Sequence, residues 1–306
     1  MNIIQKIRSD LSLKLAVTLV VPLLGLVGLA AIFVTWHQTG MMRDQIIEKA
    51  RVAARSGARF YGLTLEDAID DGILTVQDVF DTNYAEIEGY NWGRHPKYHT
   101  RYDFYTDYSV LLFQDEFLRH PDFVFAVGQD VNGYIPTHNS RYQKKVTGNP
   151  QRDLVGNRSK RIFDDKVGLA AGKHEGKEPL VQIYERDTGV TMLDVSSPIY
   201  VKGKHWGGFR LAVSLERLAA RSRSLLLTLG GVFALVGILA VLTILLMVRR
   251  AIAPAVELTQ IADAISVGNG LETPVRVRSV DEIGRLARAI DRLRVSMKAA
   301  MGRLGE

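Results

Sequence analysis

The chain has 306 residues and no cysteine, and its 39 basic and 33 acidic side chains give a net charge of +6. The lack of cysteine excludes disulfides, thiolate catalysis, cysteine-bound zinc and covalently attached haem. The positive excess flanks two apolar stretches, because residues 1–14 carry three basic against one acidic residue and residues 249–306 carry ten against seven. A nucleic-acid-binding protein would concentrate its excess on a folded domain, so the charge pattern disfavours that class.

Two uncharged apolar stretches, residues 15–36 and 224–248, each exceed the roughly 20 residues needed to cross a membrane. The first is longer than the apolar part of a secretory signal, roughly 7 to 15 residues, and is predicted to remain as an uncleaved anchor. Three arginines just before the second stretch, Arg217, Arg221 and Arg223, would lie on the outer side and weaken the orientation signal, but the predicted topology stays inside, outside, inside. Both chain ends are predicted to be cytoplasmic from the basic residues beside them: Lys6, Arg8, Lys14, Arg249 and Arg250.

The external segment, residues 37–223, begins with helical periodicity. Apolar and small residues between Met42 and Gly57 recur at steps of three and four, which predicts that the first span continues outward as a stalk helix. A second helical pattern covers residues 65–80, and a third runs from about residue 101 to residue 119. Such helices either pair with a symmetry mate or cover a sheet.

After Pro121 the period changes from helical to strand-like. Asn132-Gly133 predicts a tight hairpin turn, because the glycine tolerates positive φ. A polar, loop-rich crossover, residues 139–178, precedes three more strands. The predicted domain is therefore α+β, with long N-terminal helices and a five-stranded antiparallel sheet whose strands include residues 123–129, 180–185, 190–200 and 206–213.

Three segments of this region resemble the periplasmic sensor domain of a group of bacterial chemoreceptors. They begin at Tyr134 (YIPTHNSRY), Leu154 (LVGNRSKRIFDD) and Ser197 (SPIYVKGKHWGGFR). The strand order is similar to that of a PAS-like or Cache sensor sheet. This resemblance implies a ligand-sensing domain in the bacterial periplasm.

The crossover is rich in cationic groups that could bind an anionic ligand. Arg158 and Arg161 are candidates for clamping a carboxylate. The alternative is that both arginines pair with Asp153, Asp164 or Asp165 and only brace the loop. Directional hydrogen bonds to a ligand are predicted from Tyr134, His138, Tyr184 and Asp194.

Cofactors and catalysis find little support in the sequence. His95 and His99 have the spacing of two ligands on one helix face, but Pro96 between them disfavours a regular helix. We therefore predict no metal and no cofactor, with noncovalent haem held by one histidine as an alternative. No phosphate loop, nucleophile elbow or zinc-protease motif is present, so the chain is not predicted to be an enzyme.

Two short helical patterns occupy the last fifty residues. Each alternates apolar residues at steps of four and three, as in a coiled-coil seam: Ala251, Ala255, Leu258, Ala262 and Ile265, then Ile283, Leu286, Ile290, Leu293 and Met297. Each seam covers only about two heptads, too few for a stable isolated helix, so both need partners. The second helix is predicted to start with a capping box of Ser279 and Glu282, with Asp281 at the positive helix end.

A connector separates the two patterns. Gly268, Asn269 and Gly270 are predicted to end the first helix, and Leu271 and Val275 to anchor an extended segment across the bundle. The two patterns, the proline at 254, the connector glycine and the DEIG at 281–284 together resemble a HAMP signalling domain. The resemblance implies a homodimeric, parallel four-helix coiled coil that relays motion from the membrane helix. The residues expected to carry signalling are Pro254, Ala262, Ile265, Gly268, Asp281, Glu282 and Leu293.

The sequence thus predicts a two-span receptor of the bacterial inner membrane, similar to the N-terminal half of a methyl-accepting chemotaxis protein. It would sense a periplasmic small molecule and pass the signal to a cytoplasmic protein in trans, or to an output module missing from this chain. One alternative is a membrane accessory or scaffold subunit that docks a protein partner; another is a haem-based redox or gas sensor. The predicted domains are a cytoplasmic N-terminus (1–14), spans 15–36 and 224–248, the sensor (37–223), HAMP (249–301) and a tail (302–306).

Overall fold

The computed structural model describes residues 10–88, 95–276 and 279–304. Most of the predicted cytoplasmic N-terminus (residues 1–9) and the end of the predicted tail (residues 305 and 306) lie outside these ranges. The chain divides into two compact units. One comprises Met1–Thr35 and Leu226–Glu306, and the other is Trp36–Leu225.

Two helices are long and apolar enough to cross a membrane: α1 (Leu11–Asp70) and α7 (Leu215–Ser266). Their most apolar windows are 0% and 11% buried, whereas the core helix of a soluble protein would be mostly buried. Both helices extend well past their apolar stretches. The predicted stalk is therefore confirmed as part of α1, which ends at Asp70 ahead of Gly72, a residue with φ of +68°.

The second and third predicted helices of the external segment are shorter than expected. The first part of residues 65–80 belongs to the end of α1, and a single helical turn follows after Thr75. Thr75 caps this turn through a capping box with Asp78. The third pattern forms two helices that meet at Val110. The elements before the sheet are α2 (Val76–Val79), β1 (Ala85–Glu86), β2 (Tyr98–His99), α3 (Asp103–Ser109) and α4 (Leu111–Phe117).

The main sheet has four antiparallel strands in the order β3-β8-β7-β6. The last three form the predicted meander, and its second hairpin turns through Lys202 and Gly203, both at positive φ. The strands are β3 (Phe123–Asp130), β6 (Leu180–Glu185), β7 (Thr191–Val201) and β8 (Lys204–Ser214), and α5 (Pro150–Gly156) and α6 (Lys166–Gly172) lie in the crossover.

The prediction of a fifth strand in this sheet is wrong. Gly133 has the predicted positive φ of +83°, but β4 (Tyr134–Ile135) pairs with β5 (Arg161–Ile162) instead of β3. The turn is fixed by Asp130, whose Oδ1 accepts the Asn132 and Tyr134 amides at 2.9 Å each. The chain therefore leaves the main sheet after β3.

The sheet has an apolar and a polar face. The apolar face packs against α1 in one core that includes Ala50, Ala54, Tyr61, Phe209 and Leu211. The close approach of α1 to this sheet face depends on small residues in the helix, because a Cβ at Gly57 would lie 2.2 Å from the Phe209 ring. The other face carries the functional groups described below.

The C-terminal elements form a separate small core. Helix α7 continues through Pro254 to Ser266, and Gly268 has φ of +82° directly after it. Helix α8 (Glu282–Leu304) packs on α7 through buried Leu258, Ile265, Ala287 and Ile290. The predicted anchors Leu271 and Val275 pack against this cluster, as does the half-buried Ala262.

The predicted capping box at Ser279 is wrong by two residues. The Ser279 hydroxyl donates to Asp281 Oδ1, and that same oxygen accepts the Gly284 amide at 3.2 Å. Asp281 is therefore the residue that caps α8, and its hydrogen bonds with Ser279 and Gly284 lower the pKa of its carboxyl. Glu282 does not reach back to a cap amide but pairs with Arg285 at 2.8 Å on the surface.

Candidate ligand site in the external domain

A cavity of about 580 Å³ lies beside the polar face of the sheet. It is bounded by the crossover strand β5, the start of α6 and the β6–β7 turn. Four arginines line it: Arg158, Arg161, Arg186 and Arg210. Each is buried, with 3% to 5% of its surface exposed.

Aromatic rings support these guanidiniums in two pairs. Arg158 and Arg161 both lie over Phe163, at 4.9 and 4.7 Å from its centroid. Arg186 and Arg210 both lie near Phe125, at 5.7 and 5.8 Å. Ring faces attract cations, so the aromatic residues offset part of the cost of burying the charges.

Two carboxylates partner three of the four arginines. Asp187 accepts from Arg158 at 2.9 Å and from Arg161 at 3.5 Å. Asp194 accepts from Arg210 Nε at 3.0 Å. Two of the aspartates predicted to pair with Arg158 and Arg161 make other contacts. Asp153 accepts the Thr147 and Gly148 amides, and Asp165 caps α6 through the Val167 and Gly168 amides.

Several buried donors of this cluster have no acceptor within the ranges that the structure describes. They are Arg161 Nε, Arg186 Nε, Arg186 Nη2 and Arg210 Nη2. A buried donor without a partner is costly, and a charged one more so. The arginines around the cavity therefore carry buried cationic donors that lack acceptors among the described residues, a chemistry that suits an anion.

Burial also perturbs the titrating groups around the cavity. Burial, then the charge of Arg158, lowers the pKa of Arg161 to about 10. His138 is 2% exposed, and burial followed by the charges of Arg158 and Arg186 lowers its pKa well below the usual range. Its Nδ1 accepts the Asn139 amide at 2.8 Å, so this histidine is neutral and its other ring nitrogen carries the proton.

The predicted ligand residues divide into two groups. His138, Arg158, Arg161 and Tyr184 line the cavity. Tyr134 does not, because its hydroxyl donates to Asp103 at 2.7 Å in a separate buried polar cluster. Asp194 is fully buried and does not line the cavity, but it accepts a hydrogen bond from Arg210, which does.

Sequence reasoning missed three residues of this site. Arg186 and Asp187 begin the RDTG segment that connects the predicted strands 180–185 and 190–200, and a connection of this kind indicates only a chain reversal. Arg210 had a usable signal, since it lies on the strand face opposite to Phe209, Leu211 and Val213, between the small residues Gly208 and Ala212, and both faces are buried. An unexplained arginine in such a strand indicates a buried polar partner.

Three other histidines, each a possible single ligand for noncovalent haem, make separate local contacts. His120 stacks on Phe123, His174 contacts the Glu178 carbonyl, and His205 lies 3.8 Å from Glu175. No group of three or more potential metal ligands occurs within residues 10–88, 95–276 and 279–304.

Some of the predicted signalling residues lie along the C-terminal core and others do not. Ile265 is buried, Ala262 is half-buried beside it, and Gly268 ends α7. Leu293 points away from this core and is 67% exposed. Arg294 and Asp291 hold the connector: Asp291 accepts the Val275 amide at 3.0 Å, and Arg294 donates to the Leu271 carbonyl at 2.6 Å.

The crystal structure of the E. coli DcuS sensor domain aligns with 59% of this chain and 96% of its own, with 17% identity and a TM-score of 0.35. Among curated proteins, none matches the sequence. Residues 246–299 match the HAMP domain model. The chain therefore carries a HAMP domain that begins within α7, where the apolar stretch of residues 224–248 ends, which is the arrangement of a transmembrane signal transducer.

Proposed function

We propose that this chain is a homodimeric receptor of the bacterial cytoplasmic membrane that binds a small organic anion in the arginine-lined cavity. The observation that carries the proposal is the set of buried guanidinium donors without acceptors in the part of the chain that the structure describes, above all Nε and Nη2 of Arg186. The proposal assigns the chain no catalytic step and no cofactor. The signal passes to a cytoplasmic partner.

The chemistry of the cavity favours a carboxylate. Guanidinium groups bind carboxylates through two parallel hydrogen bonds, and they are less strongly hydrated than ammonium groups. Arg186 contributes no ion pair among the described residues, so an incoming anion would satisfy donors that are otherwise costly to bury. A volume of about 580 Å³ lies within the usual range for small-molecule sites.

The route from the cavity to the membrane helix is short. Arg210 lies on β8, which ends at Ser214, and α7 begins at the next residue. Arg221 on α7 pairs with the buried Asp122 at 2.5 Å, and Arg217 donates to the Pro121 carbonyl, so the start of α7 is also bound to the start of β3. An anion that repositions Arg210 would therefore shift the beginning of α7.

The proposal requires a second copy of the chain to complete the HAMP helix bundle. Leu286 and Leu293 belong to the predicted seam of α8, yet they are 46% and 67% exposed in one chain. A parallel four-helix bundle would cover them. Helix shifts of about 1–2 Å are enough to switch such bundles between two packings, and Ala262 and Ile265 lie where the packing would change.

The proposal is tested by ligand-dependent stabilisation of the purified chain in detergent or nanodiscs. A panel of small carboxylates, phosphates and neutral analogues is screened by thermal melting. A true ligand at a hundred times its dissociation constant stabilises the fold by about 2.7 kcal/mol. Arg186→Gln is expected to abolish the effect, whereas Arg141→Gln, which removes an exposed arginine outside the cavity, is expected to retain it.

Two results would count against the proposal. If no anion stabilises the wild-type chain, the cavity is not an anion site. If Arg186→Gln and Arg141→Gln respond equally to an anion, that anion binds elsewhere. Cysteine cross-linking between copies, at positions 286 and 293, checks the dimer separately.

A further inference from the structure

The carboxylate of Asp187 lies where a ligand carboxylate would bind. Asp187 belongs to the turn between β6 and β7, and its two oxygens reach Arg158 Nη1 at 2.9 and 3.1 Å. One of them also reaches Arg161 Nη2 at 3.5 Å. A side chain of the protein thus pairs with two of the four arginines of the site and offsets one of their two charges.

The two sides of this contact differ in their access to solvent. The Arg158 and Arg161 side chains are each 5% exposed, whereas the Asp187 side chain is 33% exposed. The buried arginines are fixed further, because Arg158 also donates to the Leu154 carbonyl at 2.9 Å. Asp187 is therefore the partner that can leave, by rotating its carboxylate into solvent.

The turn can release Asp187 without unfolding. Arg186 donates its amide to the Val190 carbonyl at 2.9 Å, and Gly189 donates to the Arg186 carbonyl at 2.8 Å. These bonds do not involve the Asp187 side chain. The Arg186 guanidinium, stacked 4.9 Å from the centroid of Tyr142, anchors the turn on its other side.

The electrostatics favour a charged Asp187 in the unliganded state. Burial alone would raise the pKa of this carboxyl, but the ion pair and hydrogen bond with Arg158, together with the charge of Arg161, lower it. At neutral pH the carboxylate is ionised. A second carboxylate entering beside it would meet like-charge repulsion at short range.

We propose that Asp187 is an internal competitor that occupies the Arg158 and Arg161 end of the site until an anionic ligand displaces it. This inference rests on the proposed anion-binding function and adds its regulation. Ligand binding would exchange one carboxylate for another, so affinity is lowered by the work of expelling Asp187. The released turn would then mark the liganded state.

The test measures anion binding by the full-length chain with Asp187 neutralised. The probe is acetate, the smallest carboxylate with an apolar group, titrated against the wild type and Asp187→Asn. Removing one negative charge at this distance is expected to tighten acetate binding by about tenfold or more, with an effective dielectric constant of about 20. Asp164→Asn is the matched control, since it removes an equal charge from an exposed residue on the cavity wall.

The expected result is a lower dissociation constant for Asp187→Asn and a change of less than about threefold for Asp164→Asn, whose exposed charge is well screened. Asp187→Ser, a shorter neutral variant, is expected to behave as Asp187→Asn does and serves if the first variant folds poorly.

Equal or weaker acetate binding in both Asp187 variants would overturn the inference and would mean that Asp187 orients the arginines. In that case acetate still binds the wild type, so the proposed function stands. Absence of acetate binding from all variants, combined with no response to any anion in the wider panel, would overturn both.

Discussion

Asp194 and Arg210 form an ion pair between the neighbouring strands β7 and β8, with Arg210 Nε 3.0 Å from Asp194 Oδ1. Their side chains are 0% and 3% exposed. Arg210 also donates to the Gln129 side chain on β3 at 3.1 Å, so one guanidinium links three strands. This pair holds the polar face of the sheet together directly beside the cavity.

Removing the acid of this pair should be strongly destabilising. Asp194→Ala leaves the Arg210 charge buried without its partner, and the expected loss of unfolding free energy is about 3–5 kcal/mol. The double variant Asp194→Leu/Arg210→Met should recover part of that loss, because it leaves no buried charge behind. Denaturant unfolding of the purified chain measures both. A loss for Asp194→Ala no larger than for the exposed control Asp164→Ala would contradict the prediction.

Two glycines of α1 should respond oppositely to alanine. A Cβ at Gly62 would lie 2.4 Å from the Tyr200 carbonyl oxygen, so Gly62→Ala must push α1 away from β7 and should cost about 1–3 kcal/mol. Gly40→Ala places its Cβ more than 4 Å from every neighbour among the described residues and should stabilise the helix by about 1 kcal/mol. Thermal melting of the two variants compares them. Equal effects would show that α1 does not press on the sheet.

The stability of the external domain should rise with pH above neutrality because of Lys97. Burial, and then the charges of Arg161, Lys160 and Arg158, lower the pKa of Lys97 to about 7. In the unfolded chain a lysine keeps its proton to about pH 10.4. Between these values the unfolded chain binds more protons, so the unfolding free energy increases as the pH rises from 7 toward 10.

The matched variants for this prediction are Lys97→Met and Lys145→Met. Lys97 is 4% exposed and Lys145 lies on the surface. Lys97→Met should flatten the rise in melting temperature between pH 7 and pH 9, and Lys145→Met should leave it unchanged. An identical pH profile in the wild type and Lys97→Met would contradict the assignment.

In the HAMP domain, Asp291 should hold the connector in place. Asp291→Ala removes the acceptor of the Val275 amide and the 2.8 Å ion pair that orients Arg294 toward the Leu271 carbonyl. We expect faster hydrogen exchange at Val275 and a loss of about 1–2 kcal/mol of local stability. Arg292→Ala, on the exposed side of α8, is the control. Unchanged exchange at Val275 would show that apolar packing alone fixes the connector.

Features set by local sequence were predictable. The meander follows from strand periodicity and from turns with positive φ, such as Gly189 at +76° and Gly203 at +76°. The HAMP core follows from seam spacing, and Leu271 and Val275 were recognised as connector anchors. The start of α8 could be predicted only to within two residues. Ser279 and Asp281 are both residue types that suit a helix cap, and only the geometry selects Asp281.

Features set by long-range contacts were not predictable. The pairing of β4 with β5 joins residues more than twenty positions apart through two register partners, too few for a periodic signal. Asp187 and Arg158 are likewise brought together only by the fold. Tyr134 illustrates the converse, since a tyrosine predicted to hydrogen-bond a ligand instead donates to Asp103 in a buried network.

The direct passage from β8 into α7, with Leu215 following Ser214, constrains how this protein can evolve. An added residue at that junction would rotate α7 by about 100° around its axis, given 3.6 residues per turn. The apolar surface and the HAMP seam that follow would turn with it. Relatives of this chain should therefore vary in length within the crossover loops but conserve the number of residues between Arg210 and the second membrane span.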